Sequence, residues 1–178
     1  MSGERMKRLL SGFLSGHEKL IFGMNVMGTV WIFLLILLVV ADVAGRVFFR
    51  FPLAGTAELC KTANPGIAFL QVTYVLWLGK HIRTTIILDR VSSRWRMFLD
   101  ILAATTGIIM FAAIFYSNVS MTWIAWKLWE YEGEGALRVP TAPIRTMILV
   151  GSACVIVQFL RNIYGYIASY RAIQKREG

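Results

Sequence analysis

Residues 31–40 read Trp-Ile-Phe-Leu-Leu-Ile-Leu-Leu-Val-Val, ten consecutive apolar side chains without a charge. They lie inside a longer apolar run, from Leu20 to Ala41, and about 20 apolar residues are enough for a helix to cross a bilayer. Three further apolar runs follow, at residues 59–78, 97–126 and 144–163. The sequence therefore predicts an all-α integral membrane protein with four transmembrane helices.

The composition of the whole chain agrees with a membrane protein. Of its 178 residues, 57% are hydrophobic and only 16% are charged, unlike a soluble domain. No stretch outside the apolar runs reaches the roughly 50 residues that a soluble domain needs. We expect a single membrane domain over residues 1–178, with spans at about 20–41, 58–78, 97–127 and 143–165. The first run is too long for the core of a cleaved signal peptide, so we expect it to remain as the first helix.

The 19 Lys and Arg residues are distributed unevenly between the two ends of these spans. Most lie before the first run, between the second and third, or after the fourth: Arg5, Lys7, Arg8, Lys19, Lys80, Arg83, Arg90, Arg94, Arg96, Arg161, Arg171, Lys175 and Arg176. Basic segments stay on the cytoplasmic side, which predicts that both termini are cytoplasmic. The net charge of +9 then reflects topology and contact with membrane lipids, and we expect no nucleic-acid partner.

Two cytoplasmic segments are expected to lie in the membrane interface. Between Met6 and Leu14, apolar residues recur every three or four positions among basic ones, which is typical of a surface helix. The link at residues 79–96 also mixes isoleucines with cations.

The third span, at roughly 30 residues, would measure about 45 Å against a hydrocarbon core of about 30 Å. The predicted fold is therefore four long, tilted transmembrane helices with cytoplasmic interfacial segments.

Charged residues near the first connection form the first group of candidate functional residues. Asp42 and Arg46 close the first run, and Glu58 and Lys61 lie in the first turns of the second. Ionisable groups at membrane depth are costly unless they are paired or face water. We interpret the four residues as one structural charge cluster, and we prefer this interpretation to a solute-binding site.

A polar stripe along the second span forms the second group. Lys61, Asn64, Ala68 and Gln71 follow one another at steps of three or four residues, so they share one face of a helix. Small and polar residues are typical of contacts between membrane helices. We predict that this stripe contacts another subunit.

The sequence contains no clustered set of catalytic or metal-ligating residues, so we expect neither an enzyme nor a cofactor, a metal or a substrate site in this chain. Cys60 and Cys154 are isolated and suit a packing role. His17 and His81 leave open one haem with two imidazole ligands, as in the membrane-anchor subunit of a redox complex. A small self-contained exporter is the other alternative, and it would need Glu58 or Lys61 as its coupling group.

Four short motifs at the ends of the spans resemble the DctQ-type small permease subunit of TRAP transporters (tripartite ATP-independent periplasmic transporters). They are Asp42 to Arg46 followed by Phe48 to Pro52, then Ala57-Glu58-Leu59, then Gly79-Lys80-His81-Ile82, and finally Leu137-Arg138-Val139-Pro140 with Pro143. The segment Arg83-Thr84-Thr85-Ile86 departs from the family pattern, in which a Val and an acidic residue are commoner. This departure leaves the subfamily and the transported solute open.

The resemblance implies a non-catalytic scaffold in the bacterial inner membrane. Its partner would be a large permease subunit that binds substrate and sodium and moves as an elevator. A periplasmic binding protein would deliver the substrate, an organic acid such as a dicarboxylate or a sialic acid. Arg46 and Glu58 would be structural or interface residues, and His81 would end the second span at the cytoplasmic side. The outer turn with Glu132, Glu134 and Arg138 would be a candidate docking site for the binding protein.

Overall fold

A computed structural model describes residues 2–78, 93–133 and 138–177 of the chain. Its helices are α1 (Ser2–Phe49), α2 (Thr56–Trp77), α3 (Ser93–Leu128) and α4 (Ala142–Glu177). Two short antiparallel strands, β1 (Tyr131–Glu132) and β2 (Val139–Pro140), form a hairpin between α3 and α4. The predicted all-α membrane fold with four helices is confirmed. Three of the described helices, α1, α3 and α4, are long and apolar enough to cross a membrane.

Three of the four described helices, α1, α3 and α4, extend beyond the apolar runs that predicted them. α1 has 48 residues without interruption, so the segment from Met6 to Leu14 continues directly into the first span and is not a separate helix. α3 and α4 have 36 residues each. At 1.5 Å per residue, α1 is about 72 Å long and the other two are about 54 Å long, so all three must tilt or project from the bilayer. The predicted interfacial link at residues 79–96 lies mostly outside the described residues.

The order of packing places α2 between α1 and α4, and α3 packs along α4. α1 and α2 run in opposite directions, because Leu35 contacts Ala63 and Ile67 near one end while Met24 contacts Leu70 near the other. An ion pair joins Arg161 of α4 to Glu18 of α1. The early part of α1 and the late part of α4 therefore lie at one end of the bundle, which we call the terminal end. The connections from α1 to α2 and from α3 to α4 lie at the opposite end, which we call the connection end.

Small residues allow the helices to approach closely. Gly151 of α4 lies directly against the backbone of α2, since a Cβ added there would be 2.5 Å from the carbonyl oxygen of Phe69. The hydroxyl of Thr73 donates to the carbonyl oxygen of Gly151 at 3.5 Å. Membrane helices associate through such close contacts because lipid supplies no hydrophobic force between them.

Most large apolar side chains point outward, as a lipid environment requires. In an apolar stretch of 18 residues in α1 and in α3, only 17% and 6% of residues, respectively, are buried inside the protein. The internal contacts are confined to small clusters, one of which joins Met24, Leu70 and Cys154. Cys154 is a buried free thiol in this cluster, and Cys60 is half-buried. The fold therefore presents broad apolar surfaces to its surroundings.

Candidate functional site

One face of α2 is covered by neither α1 nor α4. The buried residues of α2 lie on its other side, towards α1 and α4, and include Ala63, Gly66, Ile67, Leu70 and Thr73. The opposite side carries a line of exposed residues, which we call the open face of α2: Ala57, Lys61, Asn64, Pro65, Ala68 and Val75. Three members of the predicted polar stripe, Lys61, Asn64 and Ala68, thus lie together on this face.

The fourth member of the predicted stripe, Gln71, lies at the edge of the open face and packs against α1. It is half-buried, and its Cγ would be 3.0 Å from a Cβ added at Gly28. The absence of a side chain at Gly28 makes room for this contact. Gln71 therefore belongs to the contact between α1 and α2, which helical spacing alone did not indicate.

Hydrogen bonding distinguishes the open face of α2 from the outer surface of α3. Within the described part of the chain, the side chains of Lys61 and Asn64 make no hydrogen bond or ion pair. On α3, polar side chains donate to carbonyl oxygens four residues earlier: Thr105 to Ile101 at 2.8 Å, Thr106 to Leu102 at 3.0 Å and Asn118 to Ile114 at 3.1 Å. A donor satisfied by its own helix can face lipid at small cost, whereas an unpaired amide cannot.

At the connection end, Asp42 fastens the turn between α1 and α2. The carboxylate is buried, with 4% of the residue exposed. One of its oxygens accepts a hydrogen bond from the Arg46 guanidinium at 2.6 Å, and the other accepts one from the backbone N–H of Leu53 at 2.8 Å. A single side chain thus joins the last turns of α1 to the chain that leads into α2.

The predicted four-residue charge cluster is divided between two places. Asp42 and Arg46 form the ion pair described above, and no hydrogen bond or ion pair among the described residues links them to Glu58 or Lys61. Glu58 and Lys61 instead line a groove of about 360 Å³ that also contains Glu132 of the hairpin. Both pairs of charges lie at the connection end, and the sequence did not identify Glu132 as the neighbour of Glu58 and Lys61.

Direct contacts fix the hairpin between α3 and α4. Arg145 of α4 forms an ion pair with Glu130 at 3.1 Å, and the indole N–H of Trp126 donates to the Thr146 hydroxyl at 2.9 Å. Thr141 immediately precedes α4, and both its backbone N–H and its hydroxyl donate to the Glu130 carbonyl oxygen at 3.0 Å. Of the predicted docking residues, Glu132 and Arg138 are exposed, and Glu134 lies outside the described residues.

A polar cluster at the terminal end was not predicted. Arg161 of α4 forms an ion pair with Glu18 of α1 at 2.6 Å, and Gln158 donates to Asn162 at 3.0 Å. His17 is buried beside them, and His81, its proposed partner in haem ligation, lies outside the described residues. Glu18 and Arg161 are 143 positions apart in the sequence, so no local spacing pointed to their contact.

The role of Asp42 leads to a stability prediction with a matched control. Asp42→Ala removes both hydrogen bonds, leaves the Leu53 N–H without an acceptor and should lower the unfolding temperature in detergent. Asp42→Asn keeps an acceptor for that N–H but loses the charge pair, so we expect a smaller decrease. Equal unfolding temperatures for the wild type and Asp42→Ala would show that this carboxylate does not hold the turn.

Comparison with known proteins adds a family match to this geometry. A family model described as "Tripartite ATP-independent periplasmic transporters, DctQ component" matches residues 35–168. No curated protein matches the chain. The matched residues include the whole of α2 and α3, both connections and most of α4.

Proposed function

Since the chain belongs to the DctQ family, the small permease component of the tripartite ATP-independent periplasmic (TRAP) transporters, we propose that it is the non-catalytic scaffold of one such transporter in the bacterial inner membrane. Its partner is the large permease subunit, which carries out sodium-coupled uptake of an organic acid. A periplasmic binding protein delivers that acid. The excess of basic residues at the terminal end supports a cytoplasmic location for both termini.

One observation carries this proposal: on the open face of α2, the Asn64 amide has no hydrogen-bond partner in the described part of the chain. α2 packs against α1 and α4, two helices that are long and apolar enough to cross a membrane. Asn64 lies about 12 Å along α2, which is about 33 Å long, so on the proposed topology of four spans it lies inside the bilayer. Transferring an amide without a hydrogen bond into an apolar medium costs about 2–7 kcal/mol. This cost favours a second membrane protein against the open face of α2.

The remaining architecture suits a stationary element. A transporter that moves one body past another needs a part held in place by the membrane. The exposed apolar surfaces of α1 and α3 provide contact with lipid along most of their length. Asp42 and the hairpin contacts stiffen the connection end, and the ion pair between Glu18 and Arg161 joins α1 to α4 at the terminal end.

The same geometry supports docking of the binding protein at the connection end. The groove between α2 and the hairpin carries Glu58, Lys61 and Glu132, and Arg138 is exposed nearby in sequence on the same hairpin. On the proposed topology this surface faces the periplasm. Charged groups at the edge of such a contact chiefly affect the rate of association and its dependence on salt.

Co-purification tests the proposed function directly. The tagged chain is co-expressed with the products of the neighbouring genes and extracted in mild detergent. We expect the tagged chain and the large permease subunit to elute together in a fixed ratio. Recovery of the tagged chain alone, or with an electron-transfer complex that shows haem absorption, would contradict the proposal.

A further inference from the structure

The open face of α2 contains a break in the hydrogen-bond pattern of the helix. Pro65 lies inside α2 and is exposed. Proline has no backbone N–H, so the carbonyl oxygen of Lys61, four residues earlier, lacks its usual helical donor. The nearby Thr62 hydroxyl does not replace that donor, because it donates to the carbonyl oxygen of Glu58 at 2.8 Å.

The residues around the Lys61 carbonyl make this part of α2 suitable for contact with another helix. In a helix, the residues three and four positions ahead lie directly above a given carbonyl group, and here they are Asn64 and Pro65. The Asn64 amide is exposed and unpaired within the described part of the chain. Ala68, one turn further on, is small and also exposed. The face thus combines a backbone acceptor without its α-helical donor, an amide without a partner in the described part of the chain, and room for the close approach of another helix.

The Lys61 side chain does not require a partner within the membrane. Its long stem can carry the ammonium group towards the connection end, where it lines the same groove as Glu58 and Glu132. The carbonyl group of Lys61 has no such route, because the helix fixes its position. The short side chain of Asn64 does not line that groove either.

We infer that the Lys61 carbonyl and the Asn64 side chain together form a hydrogen-bonding site for a transmembrane helix of the large permease subunit that presents a hydroxyl or amide group. This inference rests on the proposed function and specifies the chemistry of the contact. The partner helix donates to the Lys61 carbonyl and exchanges a hydrogen bond with Asn64. The small side chain of Ala68 lets the two helices approach closely enough for both bonds to form.

Two variants test the site from opposite directions. Pro65→Ala restores the N–H that pairs with the Lys61 carbonyl inside α2, so the isolated chain should be at least as stable in thermal unfolding while its complex weakens. Asn64→Leu removes the amide. Hydrogen bonds between membrane helices contribute modestly, so each variant should weaken binding of the large subunit by about three- to twenty-fold. Binding is measured by titrating the purified large subunit against the fluorescently labelled chain in detergent.

Asn118→Leu on α3 is the matched control, because the Asn118 amide already donates to the Ile114 carbonyl oxygen of its own helix. We expect its affinity for the large subunit to equal that of the wild type. If the wild-type chain does not bind the large subunit, the proposed function itself is wrong. If the wild type binds and either Pro65→Ala or Asn64→Leu binds equally well, the inferred site is wrong while the proposed function stands.

Discussion

Replacing Gly151 with valine is expected to separate α4 from α2 and to cause the largest loss of stability of any single substitution considered. A Cβ at this position would lie 2.5 Å from the carbonyl oxygen of Phe69 and 2.9 Å from its carbonyl carbon. These are backbone atoms, so the clash can be relieved only by moving a whole helix. Overpacking in a close-packed core typically costs about 1–3 kcal/mol, and we expect a value at or above the upper limit.

Thermal unfolding in detergent, followed by tryptophan fluorescence, measures this effect. Gly165→Val is the control, because it makes the same change on the same helix at a position where a Cβ would meet no atom within 4 Å. Any difference between the two variants then reports the contact between α2 and α4, and not the helix propensity of valine. Equal unfolding temperatures for both variants would contradict the close packing of Gly151 against Phe69.

A bulky residue on the open face of α2 is expected to have the largest effect on assembly. Ala68→Phe introduces no clash within the chain, since Ala68 is exposed, so the isolated protein should fold normally. The ring would keep a partner helix away from the open face. Disturbed packing of about 1–3 kcal/mol corresponds to a loss of affinity for the large subunit of roughly 5- to 150-fold.

Ala113→Phe provides the comparison for this substitution. Ala113 is exposed on α3, where Thr106 and Asn118 donate to carbonyl oxygens of their own helix. We expect this variant to bind the large subunit as the wild type does in the same titration. Loss of binding by Ala113→Phe together with normal binding by Ala68→Phe would assign the interface to α3 instead.

Local sequence patterns were sufficient to predict the helices and to group three exposed residues on one face of α2. Runs of apolar residues gave the four helices, and spacing of three and four residues placed Lys61, Asn64 and Ala68 on one side of α2. Spacing succeeds here because helical geometry alone decides which residues share a face. That α1 and α4 leave this face uncovered could not be predicted, because it depends on how the helices are arranged.

Contacts between helices could not be predicted from local sequence patterns. α1 is apolar around most of its circumference, so its pattern does not distinguish an inward side from a lipid-facing side. The ion pair between Glu18 and Arg161 and the packing of Gln71 against Gly28 both depend on the relative rotation and height of two helices. For the same reason, the sequence grouped Glu58 and Lys61 with Asp42. No local pattern in the sequence showed that the hairpin brings Glu132 beside them.

Site-specific photocross-linking tests the central claim, that the open face of α2 contacts the large permease subunit, most directly. A photoreactive amino acid is placed at position 68 or, in a separate variant, at position 113, and each chain is co-expressed with the large subunit and irradiated in membranes. We expect a cross-linked product with the large subunit from position 68 and none from position 113. A product from position 113 with none from position 68 would contradict this claim.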